Sequence, residues 1–154
     1  MHIRSYREDD ASALFEIYFS AIHLVASQYY TGEQIQAWAP RDLNPGLWAA
    51  KMREIQPYIV ELDGQPVGYA DLQTNGYIDH FFVSGQHPRR GVGSLLMTHL
   101  IAESKLRHID VLTSDVSRAA QTFYRKFGFE IVEERQLVVR GVVVPNALMC
   151  RRAA

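Results

Sequence analysis

Hydrophobic and polar positions along this chain repeat with two different periods. In the first third, Leu14, Ile17, Tyr18, Ala21 and Ile22 fall three and four residues apart, which predicts a helix over Ala11 to Leu24 with Asp9 or Asp10 as its N-cap. Tyr29, Tyr30, Ile35 and Trp38, stopped by Pro40, predict a short helix over Gly32 to Ala39, and Leu47 to Glu54 forms a third. A brief extended start covers His2 to Tyr6. From Pro57 the period falls to two. Tyr58 to Leu62 and Gln65 to Leu72 flank Asp63-Gly64, a dipeptide that accepts the positive φ of a tight hairpin. Asn75-Gly76 marks another turn, and Tyr77 to Val83 is apolar on both faces, as in a strand buried within a sheet. The helical period returns over Gly91 to Lys105, through Val92, Leu95, Leu96, His99 and Leu100, and again over Ser117 to Phe127, which Gly128 ends. A short strand, Ile109 to Leu112, lies between these helices. Phe129 to Val132, Leu137 to Val139 and, after Arg140-Gly141, Val142 to Met149 close the chain as strands. The order predicts a mixed α/β (α+β) fold rather than a repeated βα unit.

Length and composition set bounds on this reading. With 154 residues, 47% of them hydrophobic, and no repeat or linker, the chain is expected to form one domain over residues 1–154. Sixteen Lys+Arg against seventeen Asp+Glu give a net charge of -1, so the field that gathers nucleic acid or an anionic membrane is missing. Cys150 is the single cysteine; it can form neither an intramolecular disulfide nor a cysteine-rich zinc site, which fits a reducing compartment. Met1-His2-Ile3-Arg4 runs into Arg7, Glu8, Asp9 and Asp10 without an apolar stretch, and no later run approaches the roughly 18 residues of a membrane span. A cytoplasmic protein is expected. His2, His23, His87, His99 and His108 are scattered, with no two at metal-ligand spacing, so no metal is implied.

Two constellations carry chemistry. Pro88-Arg89-Arg90-Gly91-Val92-Gly93-Ser94 joins the strand ending at Val83 to a helix, so successive backbone N–H groups and the positive helix end converge where a phosphate could sit. Gly91 and Gly93 let the backbone approach closely, and Arg89 and Arg90 add charge. No Lys-Ser/Thr follows, as a P-loop requires, and Leu96 stands where the dinucleotide fingerprint has its third glycine. The other reading of the loop is a tight helix start against a strand. The second constellation is Phe123-Tyr124-Arg125-Lys126-Phe127-Gly128-Phe129, on the helix after the strand Ile109 to Leu112.

Together with the strand Tyr77 to Val83 and Arg90-Gly91-Val92-Gly93, this segment resembles the GNAT superfamily of acetyl-CoA-dependent N-acetyltransferases, over roughly residues 58–132. Tyr30, Thr31 and Trp38 further resemble a bacterial subgroup of small GNAT proteins. The resemblance implies a mostly antiparallel central sheet with one splayed pair of strands and helices on both faces. It implies transfer of the acetyl group of acetyl-CoA to a small-molecule or peptide amine. Phe82 and Val83 would offer backbone groups to the pantetheine arm, lying along the splayed edge like an added strand. Arg89, Arg90, Gly91, Val92, Gly93 and Ser94 would cradle the pyrophosphate. Ser117 matches a position often occupied by Asn in the family; its hydroxyl would contact pantetheine or cap the helix. The family usually has Gln or Arg three residues before the first glycine; here Pro88 removes that contact and leaves the backbone donors.

Acetyl transfer to an amine requires a base for the amine and a proton for the departing thiolate. The stripe Ala120, Phe123, Tyr124, Phe127 points Tyr124 inward; the resemblance implies that it is the acid, and the alternative is a core tyrosine with its hydroxyl satisfied by backbone. Strand alternation puts Tyr77, Asp79, Phe81 and Val83 on one face and Ile78, His80 and Phe82 on the other, so only one of Asp79 and His80 should face the acceptor. Asp79 is preferred as base or water holder, the alternative being a carboxylate pinned by Arg or backbone donors. Tyr18, His23, Tyr29, Tyr30 and Trp38 form an aromatic entry that the resemblance places over the acceptor, and Asp71 and Glu33 are candidates to attract a cation. No acyl-carrying nucleophile is evident, which favours direct transfer in a ternary complex; a non-catalytic acyl-CoA-binding module is the rival reading. The Val- and Leu-rich late strands predict a homodimer.

Overall fold

In the computed structural model, which describes residues 1–153, the alternating stretches pair into two four-stranded sheets. β1 (His2–Ser5), β2 (Tyr58–Leu62), β3 (Gln65–Ala70) and β5 (Phe81–Val83) form the first, in the order β1-β2-β3-β5 and antiparallel throughout. β4 (Tyr77–Ile78), β6 (Val111–Ser117), β8 (Val142–Arg152) and β7 (Glu130–Val139) form the second, in the order β4-β6-β8-β7, with a parallel β4–β6 pair and antiparallel neighbours.

Successive residues of β2 and β3 point to opposite faces, and each face is covered by helices. Ile59 and Tyr69 pack with Leu14, Trp48 and Met52 under α1 (Ala11–Ser20) and α3 (Pro45–Ile55). Val60 and Ala70 pack with Leu96, Met97 and Leu100 of α4 (Val92–Leu106) on the other face. α2 (Gly32–Trp38) begins with a capping box, in which Thr31 Oγ1 accepts from the Gln34 amide and Gln34 Oε1 accepts from the Thr31 amide. α3 begins with Asn44 accepting from the amides of Gly46 and Leu47. Asp10 does not cap α1: its carboxylate is taken by Arg4, which donates to both oxygens at 2.7 and 2.8 Å. After Ser20 the first helix loosens into a π turn over Ala21–Val25 and a 3₁₀ turn over Ala26–Gln28. Among the described residues no helix is long and apolar enough to cross a membrane.

Several elements depart from the sequence pattern. The stretch Tyr77 to Val83 is two strands in different sheets, because the β3–β5 ladder ends at Ala70↔Phe81 and the β4–β6 ladder at Ile78↔Ser114. The N–H groups of Asp79 and His80, left between the two ladders, both donate to Asp71 Oδ1, at 3.0 and 2.6 Å. The two sheets part there. The strand placed at Ile109 to Leu112 begins at Val111 and runs on to Ser117, its buried positions Leu112, Ser114 and Val116 disguised by polar neighbours. The following helix, α5 (Gln121–Lys126), is correspondingly shorter. Ser117 therefore ends a strand and caps nothing; Ala120 holds the N-cap position. The late strands form one long hairpin on whose surface Leu137, Val138 and Val143 are exposed.

Candidate active site

Where the sheets part, a groove of about 280 Å³ opens between β5, the start of α4 and α5. Phe81, Phe82 and Val83 form one wall, Ala119, Ala120 and Phe123 another, and Ala21, Ile22 and Val25 of the π turn cover it. No charged side chain lines it. Polar binding there falls to the hydroxyls of Ser84 and Ser117 and to backbone groups, of which the first N–H groups of α4 have no helical acceptor. Gly91 is the N-cap of α4 with φ +79, a left-handed conformation costly for most side chains. Gly93 has a different reason to be glycine: a Cβ there would lie 3.2 Å from Phe123 Cζ and 3.3 Å from Cε1, closing the groove. Phe82, Val83, Gly93 and Ser117 line the groove, whereas Arg89, Arg90 and Gly91 form the exposed turn between its lining residues Pro88 and Gly93, and Ser94 is exposed in the first turn of α4. Val92 turns its side chain into the core and leaves only its amide to the turn. Pro88 gives the groove an apolar ring where the resemblance leads one to expect Gln or Arg.

A second, larger cavity of about 630 Å³ lies on the other side of Trp38, Phe82 and Ser117, the three residues that line both. Its floor is aromatic: Tyr18, Tyr30, Trp38, His80 and Phe82. Hydrogen bonds fix the rings. Tyr18 donates to the carbonyl of Trp38 at 2.8 Å, and Tyr30 donates to Pro145 O at 2.5 Å while accepting from the Arg118 amide at 2.9 Å. The opposite wall carries Asp79, Asp115, Glu133 and Glu134 against a single cation, Arg135. Asp115 accepts from Tyr77 Oη and from Arg135 Nη1, both at 2.8 Å, and burial together with that carboxylate holds the Tyr77 phenol above its usual range.

The parting of the sheets also overturns the expectation that only one of Asp79 and His80 could face an acceptor. Residues 79 and 80 lie between the two ladders, strand alternation is interrupted, and both line the cavity. Asp79 is half-buried and ion-paired with Lys51 Nζ at 2.6 Å. His80 shares a 3.0 Å hydrogen bond between Nδ1 and Tyr69 Oη, and burial lowers its pKa to about 4, leaving the imidazole neutral at physiological pH. Tyr124 is buried behind Phe81 and Phe123 and borders neither cavity. Its hydroxyl lies 3.5 Å from Ser114 Oγ, which donates to Ile78 O at 2.8 Å, and burial holds the phenol protonated well above its usual range.

The other expected groups scatter. His23 is bonded to Ala39 O at 2.7 Å and stacked on Phe19, and Tyr29 is half exposed, so neither reaches the cavity. Glu33 is exposed on α2, and Asp71 is buried under the strand break. Asp115, Glu133 and Glu134 escaped the sequence pattern; the alternation of Leu112, Ser114 and Val116 carried the signal that would have put Asp115 on a strand. Among the described residues no cluster of three or more His, Cys, Asp or Glu side chains is placed to hold a metal ion.

The groove lies at a splayed sheet edge and ends at a glycine turn and a helix N-terminus, on a fold that is that of the GNAT acetyltransferases. The chain belongs to that family: the acetyltransferase (GNAT) domain model matches residues 26–146. It is 34% identical over 150 residues to the uncharacterized N-acetyltransferase YafP of Escherichia coli K12, covering 97% of this chain and 94% of YafP. The crystal structure of a GCN5-related N-acetyltransferase from Rhodopseudomonas palustris superposes with a TM-score of 0.93 at 28% identity, over 98% of this chain and 94% of that one. The fold is also that of yncA from Salmonella typhimurium, solved with its cofactor acetyl-CoA, with a TM-score of 0.70 at 19% identity over 100% of this chain and 94% of that one. The protein is an acetyltransferase.

Proposed function

We propose that the chain transfers the acetyl group of acetyl-CoA directly to an amine, small or peptidic, bound in the larger cavity. The observation that carries this reading is the meeting of two chemically unlike cavities at Trp38, Phe82 and Ser117: an uncharged groove suited to a thioester arm opens onto a carboxylate-lined chamber suited to a cationic amine. The yncA fold, solved with acetyl-CoA, supports the groove's assignment. Phe82, Val83 and Ser117 line the pantetheine path, and Arg89, Arg90, Gly91, Val92, Gly93 and Ser94 surround the pyrophosphate. The acidic wall draws the ammonium form in. Asp79, beside neutral His80, takes the amine's proton directly or through water. The neutral amine's nitrogen bonds to the thioester carbonyl carbon and the C–S bond breaks; the thiolate is protonated by Tyr124, which lines neither cavity and so acts through water, and the nitrogen's second proton restores the phenol by the same route. No metal enters this scheme.

The reading is tested by following thiol release from acetyl-CoA with a mixed panel of amines and lysyl peptides. Release that rises with at least one amine is expected. Tight CoA binding with no amine-dependent release replaces acetyl transfer with the acyl-CoA-binding module. A cytoplasmic setting is part of the proposal and fits the free thiol of Cys150. A homodimer through the exposed Leu137, Val138 and Val143 is checked by sedimentation, where a monomer at high concentration discards it.

A further inference from the structure

Asp71 follows β3 at the point where the two sheets part, and its side chain is fully buried, with 0% exposure. Both carboxylate oxygens and the backbone amide have partners. Oδ1 accepts the N–H groups of Asp79 and His80, Oδ2 accepts from Gln73 Nε2, and the Asp71 amide donates to His80 O at 3.2 Å. A carboxylate in such a place is tolerated only where hydrogen bonds offset its desolvation.

Two successive N–H groups of a regular strand point to opposite sides, so no single acceptor reaches both. Here one oxygen gathers both, and the side chains of residues 79 and 80 border the same cavity. We propose that Asp71 is a positioning residue for acyl transfer, its carboxylate locking the strand break that brings both Asp79 and His80 into the lining of the cavity that holds the acceptor amine; this rests on the reading of the larger cavity as the acceptor site. Asp71 acts through those two residues and lines neither cavity.

The charged and titratable groups around it are Asp79 and His80 at the break, Lys51 on α3, Tyr69 on β3, Tyr77 on β4 and Tyr124 on α5. Burial raises the Asp71 pKa to about 6, against the lowering pull of the His80 amide and Gln73, so the carboxylate forms over a pH range where amide signals are readily followed.

The test is amide NMR of the full chain across pH 5 to 7, paired with kinetics. In the wild type the Asp79 and His80 amide protons should move together through one titration near pH 6; in Asp71→Asn, whose amide oxygen still accepts, that step should vanish while the fold persists. Asp71→Asn should keep kcat/KM for the amine within a few-fold, whereas Asp71→Ala should lose about tenfold to a hundredfold with KM for acetyl-CoA little changed, as misplacement of reacting groups does. The proposal is overturned if the two amides titrate identically in Asp71→Asn, or if Asp71→Ala turns over the amine like wild type. Should Asp71→Ala fail to fold, the Asp71→Asn titration decides. A wild type whose amides titrate but which acetylates no amine overturns the acyl-transfer reading itself and confines Asp71 to shaping the wall.

Discussion

The two cavities that meet at Trp38, Phe82 and Ser117 are built from different materials. The groove is lined mostly by apolar residues from β5, the turn before α4, α5 and the π turn, with two serines, Ser84 and Ser117, and no charge among them. The acceptor cavity draws its side chains from α1, α2 and all five strands β4 to β8, and sets four carboxylates and one guanidinium over an aromatic floor. A groove that binds through backbone groups serves one ligand whatever side chains surround it, because N–H and C=O positions follow from the strand and helix alone. A cavity built from side chains is specific to its own acceptor, because moving or exchanging any one of them changes what fits. The general half of the reaction thus sits on the backbone and the particular half on side chains.

The comparison is broken most severely at Gly93. Gly93→Val places methyl groups against Phe123, already 3.2 Å from an added Cβ, and should weaken CoA binding by about 100-fold or more, roughly 2.7 kcal/mol, in a chain that still melts cooperatively. Gly91 offers a control, since nothing lies within 4 Å of an added Cβ and only its φ of +79 restricts it; Gly91→Asn, a residue that tolerates this conformation, should retain CoA binding within a few-fold. Titration calorimetry of CoA into both variants checks the pair. Wild-type affinity in Gly93→Val returns the glycine turn to a tight helix start.

Tyr124→Phe tests an effect of comparable size. It keeps the packing against Phe81, Phe123 and Phe129 and removes only the hydroxyl, so kcat should fall about 10²–10⁴-fold with KM for acetyl-CoA nearly unchanged. Unchanged turnover at every pH makes Tyr124 a core residue. A loss of stability above about 1.5 kcal/mol instead assigns the hydroxyl a structural hydrogen bond.

The features that could be read from the sequence share a physical origin with the groove. Gly91 and Gly93 announce a close backbone approach, Tyr30 and Trp38 an aromatic entry, and the inward stripe on α5 a buried Tyr124, each from spacing within a dozen residues. The acceptor wall was hidden because it depends on contacts distant along the chain. The break at residues 79–80 is made by a side chain from residue 71, and nothing in an apolar run announces it. Asp115 stands on a strand whose buried Ser114 read as a polar position, and Glu133 and Glu134 occupy the middle of β7, where the sequence looked like a gap between two strands. The resemblance supplied the class of reaction, while the residues that choose the amine came from tertiary convergence.

The smallest expected effect is on stability, and it separates Asp71, behind the acceptor cavity, from His80, which lines it. Burial raises Asp71 to about 6, so its favourable contribution is present below its ordinary carboxylate range and is lost as pH rises through 6. Burial lowers His80 to about 4, so its contribution is present above the ordinary histidine range near 6.5 and is lost as pH falls through 4. The two slopes oppose each other between about pH 4 and 6. Asp71→Asn should leave a melting temperature that drops as pH falls across this window, and His80→Phe one that drops as pH rises. Parallel pH profiles for the two variants would refute the opposed burial of the pair.

The central claim, direct transfer between two adjoining cavities, is tested most directly by initial rates measured while acetyl-CoA and an accepted amine are varied against each other. Transfer within a ternary complex predicts intersecting double-reciprocal lines and an unmodified chain in intact-mass spectra. Parallel lines together with an acetylated chain after exposure to acetyl-CoA alone would contradict it.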